Sequence, residues 1–183
     1  KLIAALKEKG VLDKNKQLPL PLVPLTIGLI TSDDSAAYND FISELRKSGY
    51  GFKVYLRNTL MQGKNAPKDV CRALAELQRL DGLEMIIITS GGGSLAELSC
   101  FDSALIAEAV AACTLPVLSG IGHEINITVT DLAAHTYAKT PTAIAQYLVG
   151  RVQEFLTGLD ERMKHVIHEA QTTLADYKQH LKD

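Results

Sequence analysis

The chain reads as an α/β fold: an open, mainly parallel sheet with helices on both faces, followed by a long C-terminal helix. Three observations carry that reading. Short apolar runs alternate with amphipathic helical stretches at the spacing of βαβ units. The run LEMIIIT at residues 83–89 is almost continuously apolar, as in a strand covered on both faces. After Pro141 no proline occurs as far as Asp183, and apolar residues recur at helical spacing throughout that stretch.

The elements follow in order. Residues 1–10 form an amphipathic piece closed by Gly10. Pro19, Pro21 and Pro24 remove backbone donors and fix φ, so residues 17–24 can be neither helix nor central strand and act as a connector. Residues 25–30 (LTIGLI) have strand length, and Thr31, Ser32, Asp33, Asp34 and Ser35 supply oxygens suited to a helix N-cap. A helix then runs to about Ser48, with Ala37, Phe41 and Leu45 on its apolar face and Gly49 as its stop. Residues 52–56 make a second strand, and residues 67–80 a second helix with Val70, Leu74 and Leu77 facing inward. Beyond strand 83–89, residues 102–112 read as a third helix, 116–121 as a fourth strand and 126–134 as a short helix. Right-handed crossovers then give a parallel sheet of about four or five strands.

From Thr140, which can cap, and Pro141, which suits a first helical turn, the character changes. Val152, Phe155, Leu159, Met163, Val166, Ala170, Leu174, Tyr177 and Leu181 advance in steps that repeat every eleven residues. Such a stripe runs almost straight, drifting slightly right-handed, unlike a heptad seam. It either meets a partner or folds back on its own body, and its length favours a partner.

Composition bounds the function. With 46% hydrophobic residues the 183-residue chain can bury a core, and 19 Lys+Arg against 21 Asp+Glu give a net charge of −2. No global field draws in nucleic acid, so any such binding rests on a local patch. Cys71, Cys100 and Cys113 are odd in number and fit no C-x-x-C pattern, which points to a reducing, cytoplasmic setting. No stretch has the length of a membrane span. The chain starts without a methionine, as expected of a piece cut from a longer protein.

The candidate site lies where strands end in glycine. The strand at 83–89 runs into Ser90-Gly91-Gly92-Gly93-Ser94, and the strand at 116–121 into Gly120-Ile121-Gly122-His123-Glu124. In an open α/β sheet both turns leave the carboxyl ends of strands, where ligands bind, and glycines let backbone N–H groups crowd toward an anion. Gly91, Gly92, Gly93 and Ser94 are therefore the expected phosphate cradle, although a helix-cap role explains Ser94 as well as a nucleophilic one. His123, with Glu124 and Asp131 close behind it, is placed like a general acid or base, and equally like a hydrogen-bonded structural histidine. The turn after the first strand brings Ser32, Asp33 and Asp34 to the same edge, with Asp40 a turn into the helix, where residues alone suggest only a solvated side chain. His165 and His168, with Glu161 and Glu169, read as a charged helix face rather than a metal site.

The ordered set ITSDDSAAYNDF (30–41), TLMQG (59–63), SGGGSLAEL (90–98), PVLSGIGHEINIT (116–128), Asp131 and TPTAIA (140–145) resembles the large subunit of exodeoxyribonuclease VII. The likeness spans residues 18–146 in register, and six separated motifs in order are far more specific than one glycine loop. It implies a division into residues 1–24 (helix and Pro-rich linker), 25–140 (α/β catalytic-type domain) and 141–183 (long helix, start of a coiled coil). The family's N-terminal oligonucleotide-binding domain is absent from the sequence. The family cleaves single-stranded DNA to oligonucleotides, typically without added divalent metal. By resemblance, then, no cofactor is required and a divalent metal is left open. The implied partners are single-stranded DNA, small subunits on the C-terminal helix and a further copy of the chain through the same helix, with no membrane.

Carried over by position, the family's catalytic aspartate is Asp40 and its histidine is His123. Its arginine before the glycines is here Ser90, the aspartate three residues after the histidine is Asn126, and the acidic pair after the glycines is Ala96-Glu97. Serine cannot supply the fixed charge that holds a scissile phosphate, and losing one such donor typically costs about 10²–10³ in rate. Asn126 keeps the shape of aspartate but cannot stabilise an imidazolium. The expectation is an exodeoxyribonuclease VII-type hydrolase with weakened machinery, unless Lys139, Lys53 or Arg57 replaces the missing arginine. Two alternatives stay open: a catalytically silent single-strand-binding scaffold, and a small-molecule phosphate or nucleotide enzyme. Against the last, Ile27-Gly28-Leu29 offers no G-x-G-x-x-G.

Overall fold

Five strands, each flanked by turn residues, pair through their backbones into one sheet among the residues that the computed structural model describes, 1–91, 98–121 and 127–181. They are β1 (Thr26–Thr31), β2 (Lys53–Asn58), β3 (Met85–Thr89), β4 (Val117–Gly120) and β5 (Thr136–Tyr137). Every pairing is parallel and the spatial order is β2-β1-β3-β4-β5. The four longer strands stand where apolar runs predict them, shifted by one or two residues at the ends. The two-residue β5 carries too little pattern to be read from sequence. It exists because His135 N–H donates to Val117 O (2.8 Å) and Ala138 N–H to Ser119 O (2.9 Å).

Parallel pairing forces each connection to cross back over one face, and side-chain alternation decides which residues meet it. Helix α3 (Ala36–Lys47) buries Ala37, Phe41 and Leu45 against Ile27, Leu29, Met85 and Ile87. On the opposite face α4 (Ala66–Leu77) buries Val70, Leu74 and Leu77, and α5 (Ala104–Ala112) buries Ile106 and Val110, against Ile30, Ile86 and Ile88. Each fully buried aliphatic side chain contributes about 1.5–3 kcal/mol. Gly28 permits a close approach on this face: a Cβ there would meet Leu77 and Leu83 side-chain carbons at 3.1 Å.

The segment ahead of the prolines also enters the core. Helix α1 (Leu2–Glu8) contributes Leu6, and after Gly10, at φ 65°, α2 (Val11–Lys14) contributes Val11 and Leu12. Asn15 is fully buried. Its amide donates to Val110 O (3.1 Å) and Leu115 O (3.0 Å), and its oxygen accepts from Val117 N–H (2.8 Å). One side chain thus satisfies three backbone groups at the α5-to-β4 turn. The proline segment is fastened by His135, whose Nε2 lies 3.1 Å from Leu18 O and so donates, and by Arg151, which donates to Pro21 O at 2.9 Å. Burial pushes the His135 pKa below its ordinary value, and the nearby Arg151 and Lys16 push it the same way.

Helix α6 (Val129–Ala133) leads to β5, and α7 (Pro141–His180) follows, 40 residues and about 60 Å long. Thr140 caps it, its hydroxyl accepting from Ala143 N–H (3.0 Å). Its first turns pack on the sheet and α3 through Ile144, Ala145, Leu148 and Val152. Beyond Val152 the predicted stripe does not fold back on the body. Met163, Val166, Leu174 and Tyr177 are 56%, 68%, 59% and 66% exposed.

Replacing Asn15 with alanine leaves three buried backbone groups unpaired, and we expect a loss of roughly 2–4 kcal/mol in urea denaturation. The neutral His135 gives a separate pH dependence. Its stabilisation is complete above about pH 6.5 and declines on acidification, because the unfolded imidazole takes up its proton first. Thermal unfolding between pH 7.5 and 5.5 checks this, and the slope should shrink in His135→Gln.

Candidate functional site

The β1 and β3 connections leave for opposite faces, α3 on one side and α5 on the other, which opens a crevice at the carboxyl ends of these two neighbouring strands. In doubly wound sheets of this strand order, ligands bind at that reversal. The pairing of Ile30 with Ile88, continued by one residue, sets Thr31 beside Thr89, and Thr89 pairs with Gly120. Alternation turns all three toward the α3 and α7 face. A Cβ on Gly120 would meet Ile144 Cγ2 at 3.0 Å and Thr140 O at 3.1 Å, so only glycine lets α7 start this close to β4. Thr31 and Thr89 are fully buried, and their hydroxyls have no hydrogen-bond partner among the described residues.

The turn after β1 is rigidly built. Asp33 N–H donates to Asn58 Oδ1 (3.0 Å), Asp34 takes φ 55°, and Ser35 caps α3 by accepting from Tyr38 N–H (3.1 Å). An aspartate tolerates that left-handed conformation better than most residues. Ser32, half-buried, accepts from Ser35 N–H through its carbonyl. Asp40 is exposed on α3. One turn further on, Glu44 accepts from Gln146 of α7 (3.0 Å), while also bonding Lys47. Residues four apart share a helix face, so Asp40 lies on the flank toward α7, about 6 Å nearer the carboxyl edge than Glu44.

The two glycine turns start side by side and finish tied together. Ser90 N–H donates to Gly120 O (3.4 Å) where both strands end. Downstream, Val129 N–H donates to Asp102 Oδ1 (3.0 Å) and the Thr130 hydroxyl to Phe101 O (2.7 Å). Gly91 is half-buried with open space where a Cβ would project. Gly92, Gly93, Ser94, His123, Glu124 and Asn126, together with Ala96-Glu97, lie outside the described residues.

Asp131 is 2% exposed and both its carboxylate oxygens are engaged. Oδ1 accepts from the Ser119 hydroxyl (2.5 Å), and Oδ2 from Thr128 N–H (2.9 Å) and the Thr128 hydroxyl (2.7 Å). The Thr128 hydroxyl accepts in turn from Asp131 N–H (3.1 Å), completing a capping box on α6. One carboxylate therefore bridges the end of β4 to Thr128, and residues 120–127 span between the two anchored points. The sequence carries the signal for Thr128, a Thr-x-x-Asp box, but none for Ser119, whose contact depends on tertiary packing.

The cations sort by commitment. Arg57 is engaged by Glu76, Nε to Oε2 at 2.6 Å and Nη2 to Oε1 at 3.3 Å. Lys53 starts β2, far from the carboxyl edge, with its ammonium 5.3 Å over the Tyr55 ring. Lys139 is exposed and has no ion pair among the described residues. Burial pushes the thiols of Cys71, Cys100 and Cys113 above their ordinary range, which makes them poor nucleophiles. Among the described residues no three His, Cys, Asp or Glu side chains gather as a metal site, and His165 meets only Glu169, at 3.8 Å on an exposed face. No helix among them is long and apolar enough to cross a membrane.

Comparison with known proteins finds a family match over most of the chain. The profile described as exonuclease VII, large subunit, matches residues 11–183. The chain belongs to the exonuclease VII large-subunit family. Similar proteins named exodeoxyribonuclease 7 large subunit include one from Cyanothece sp., 35% identical over 170 residues, covering 93% of this chain and 40% of that protein. Another, from Moorella thermoacetica, is 36% identical over 180 residues, with 94% and 45% covered. A third, from Pseudomonas aeruginosa, is 37% identical over 166 residues, with 87% and 36% covered. This large-subunit chain thus spans less than half the length of these relatives.

Within this large-subunit fold the Asp131 bridge makes a specific prediction. Asp131→Asn supplies one acceptor where three donors converge, and we expect a loss of roughly 1.5–3 kcal/mol in chemical denaturation. Amide hydrogen exchange should speed up at Thr128 and Asp131 before it does at Ile87 in the sheet centre.

Proposed function

We propose that this chain is the central part of an exonuclease that hydrolyses phosphodiester bonds of single-stranded DNA to oligonucleotides, and that it works in the cytoplasm as a large subunit. Membership of the family supports this, but the observation that carries it to this site is the shared edge. The Ser90-Gly91 and Gly120-Ile121 turns leave adjacent parallel strands beside the β1/β3 reversal, and α3 presents Asp40 at the same edge.

In this reading the N–H groups of Gly91, Gly92 and Gly93, with Ser94, cradle the phosphate. His123 moves the proton as general acid or base, and Glu124 and Asn126 follow it in the sequence. Asp40 orients the attacking water or the imidazole. Ser32 shapes the first turn, Asp131 anchors the turn that bears His123, and Ser90 occupies the place of a cation. Asn126 supplies hydrogen bonding without charge, which leaves His123 a weaker base than it would be beside a carboxylate.

The division into residues 1–24, 25–140 and 141–183 assigns the chemistry to the middle segment. The last segment holds assembly contacts: the exposed stripe from Phe155 to Leu181 receives small subunits or another copy of the chain in a coiled-coil arrangement.

The test is a gel assay of the full-length protein with its small subunits on end-labelled single-stranded DNA. We expect oligonucleotide products from the natural chain, loss of at least about 10²-fold in rate for His123→Ala, and a comparable loss for Asp40→Asn. Salt-sensitive DNA binding with no products from the natural chain would instead mark a silent binding scaffold.

A further inference from the structure

Strand β2 closes one margin of the sheet, and its Val54 and Leu56 stay half-buried under α3. Beside them lies a cavity of about 230 Å³, lined by Tyr38, Ile42 and Arg46 of α3, by Tyr50 and Phe52 of the connection, and by Val54. A second concavity, of about 520 Å³, shares Tyr38, Ile42 and Arg46 and continues over α3 to Lys47. Among the described residues no carboxylate lines either one. Lys47 is paired with Glu44 at 3.3 Å, whereas Arg46 is exposed and has no ion pair among the described residues.

Local structure holds these side chains in place. Tyr38, Ile42 and Arg46 recur at four-residue steps and so lie on one flank of α3, opposite that of Asp40 and Glu44. Gly49, at φ 72°, turns the chain out of the helix. Tyr50 N–H then donates to the Ser48 hydroxyl (3.2 Å), and Phe52 N–H to Tyr50 O (2.9 Å). The Tyr50 and Phe52 rings meet edge to face with centroids 6.5 Å apart, which fixes the Tyr50 ring as a platform. The hydroxyls of Tyr38 and Tyr50 have no hydrogen-bond partner among the described residues.

An apolar floor, aromatic walls and an uncommitted guanidinium together suit a nucleotide. Every base offers a π face to a tyrosine ring, and a guanidinium holds a phosphate through two parallel hydrogen bonds. The whole chain has a net charge of −2, so a groove that presents cations without carboxylates is the local patch that a polyanion requires. Its position fits as well. Tyr38 stands in the first turn of α3, three residues after the cap Ser35, at the carboxyl edge of the sheet. From there to Arg46 the helix runs about 12 Å, enough for roughly three stacked nucleotides at about 3.4 Å each.

We propose that the groove between α3 and β2 is a binding subsite for single-stranded DNA, in which Tyr38 and Tyr50 stack on bases and Arg46 holds a backbone phosphate. The proposal rests on the nuclease reading for its ligand. It adds a track outside the cleavage edge, built entirely from residues of α3, β2 and the connection between them.

The experiment uses the full-length protein with its small subunits, natural or carrying Tyr38→Leu, Tyr50→Leu, Tyr50→Phe, Arg46→Ala or Arg79→Ala. Leucine keeps the apolar bulk but has no π face, and Arg79 is an exposed cation just beyond α4 on the opposite face. Affinity for a short oligothymidylate is measured against salt in a His123→Ala background. It should fall about 10-fold in each leucine variant and be retained in Tyr50→Phe. Arg46→Ala should lower the salt slope by about one phosphate contact, and Arg79→Ala should leave it unchanged. In the His123-containing proteins the leucine variants should raise KM and leave kcat alone, because the groove binds bases remote from the bond that breaks. An oligothymidylate carrying iodouracil should cross-link to Tyr38 or Tyr50 on irradiation. Natural affinity in both leucine variants, or cross-links confined to other residues, overturns the subsite and leaves the nuclease reading intact. A changed oligomeric state with natural DNA affinity overturns it too, and makes the groove a protein interface. Should the natural chain give no His123-dependent cleavage, the nuclease reading fails, while affinity and cross-linking still decide the groove.

Discussion

The constraint on which everything else depends is the parallel backbone register that lines up Asn58, Thr31, Thr89 and Gly120 across four strands. A parallel sheet has two unlike edges, and the turns that follow β1, β3 and β4, with their aspartates and glycine runs, leave from the carboxyl one. Because β1 sits inside the sheet rather than at its margin, its connection and that of β3 part to opposite faces. The resulting crevice is a product of strand order, and no side chain has to open it.

Holding that edge in shape falls to a few buried polar groups acting over long sequence separations. Asn15 fixes the amino end of β4 from about 100 residues away, and Asp131 fixes its carboxyl end. Both are fully satisfied, so each rigidifies the region instead of costing stability. Between them they set the position of a four-residue strand, too short to be stable on its own pairing. Among the described residues, the buried side-chain groups without a hydrogen-bond partner, the hydroxyls of Thr31 and Thr89, fall at the edge where a ligand is proposed.

Most elements could be read in the sequence because period and punctuation agree: Phe41 and Leu45 mark the buried face of α3, Ser35 caps it, and unbroken apolar residues mark β3. Strand order could not be read, since it depends on crossover choices that leave no local trace. β5 and Asn15 escaped for a related reason, as each gains its structure from partners distant in the chain. Of the candidate site, the strand ends that lead into the glycine turns, Thr89 and Gly120, were legible, whereas Gly92, Gly93, Ser94 and His123 lie outside the described residues. What each charged residue does was less legible. Asp131 looks like a companion of His123 in the sequence, yet both its oxygens are spent on Ser119 and Thr128. The long helix divides at Val152: before it the apolar stripe is spent on the body, after it the stripe is open, a difference that periodicity does not encode.

The most direct test of the account is a crystal structure of the full-length His123→Ala protein with a short single-stranded oligonucleotide bound. The account predicts a backbone phosphate at the β1/β3 edge, hydrogen-bonded to Gly91 N–H, with the nucleotide chain passing between Asp40 and the Gly120 turn. Oligonucleotide bound elsewhere, with this edge closed over by side chains, would contradict it.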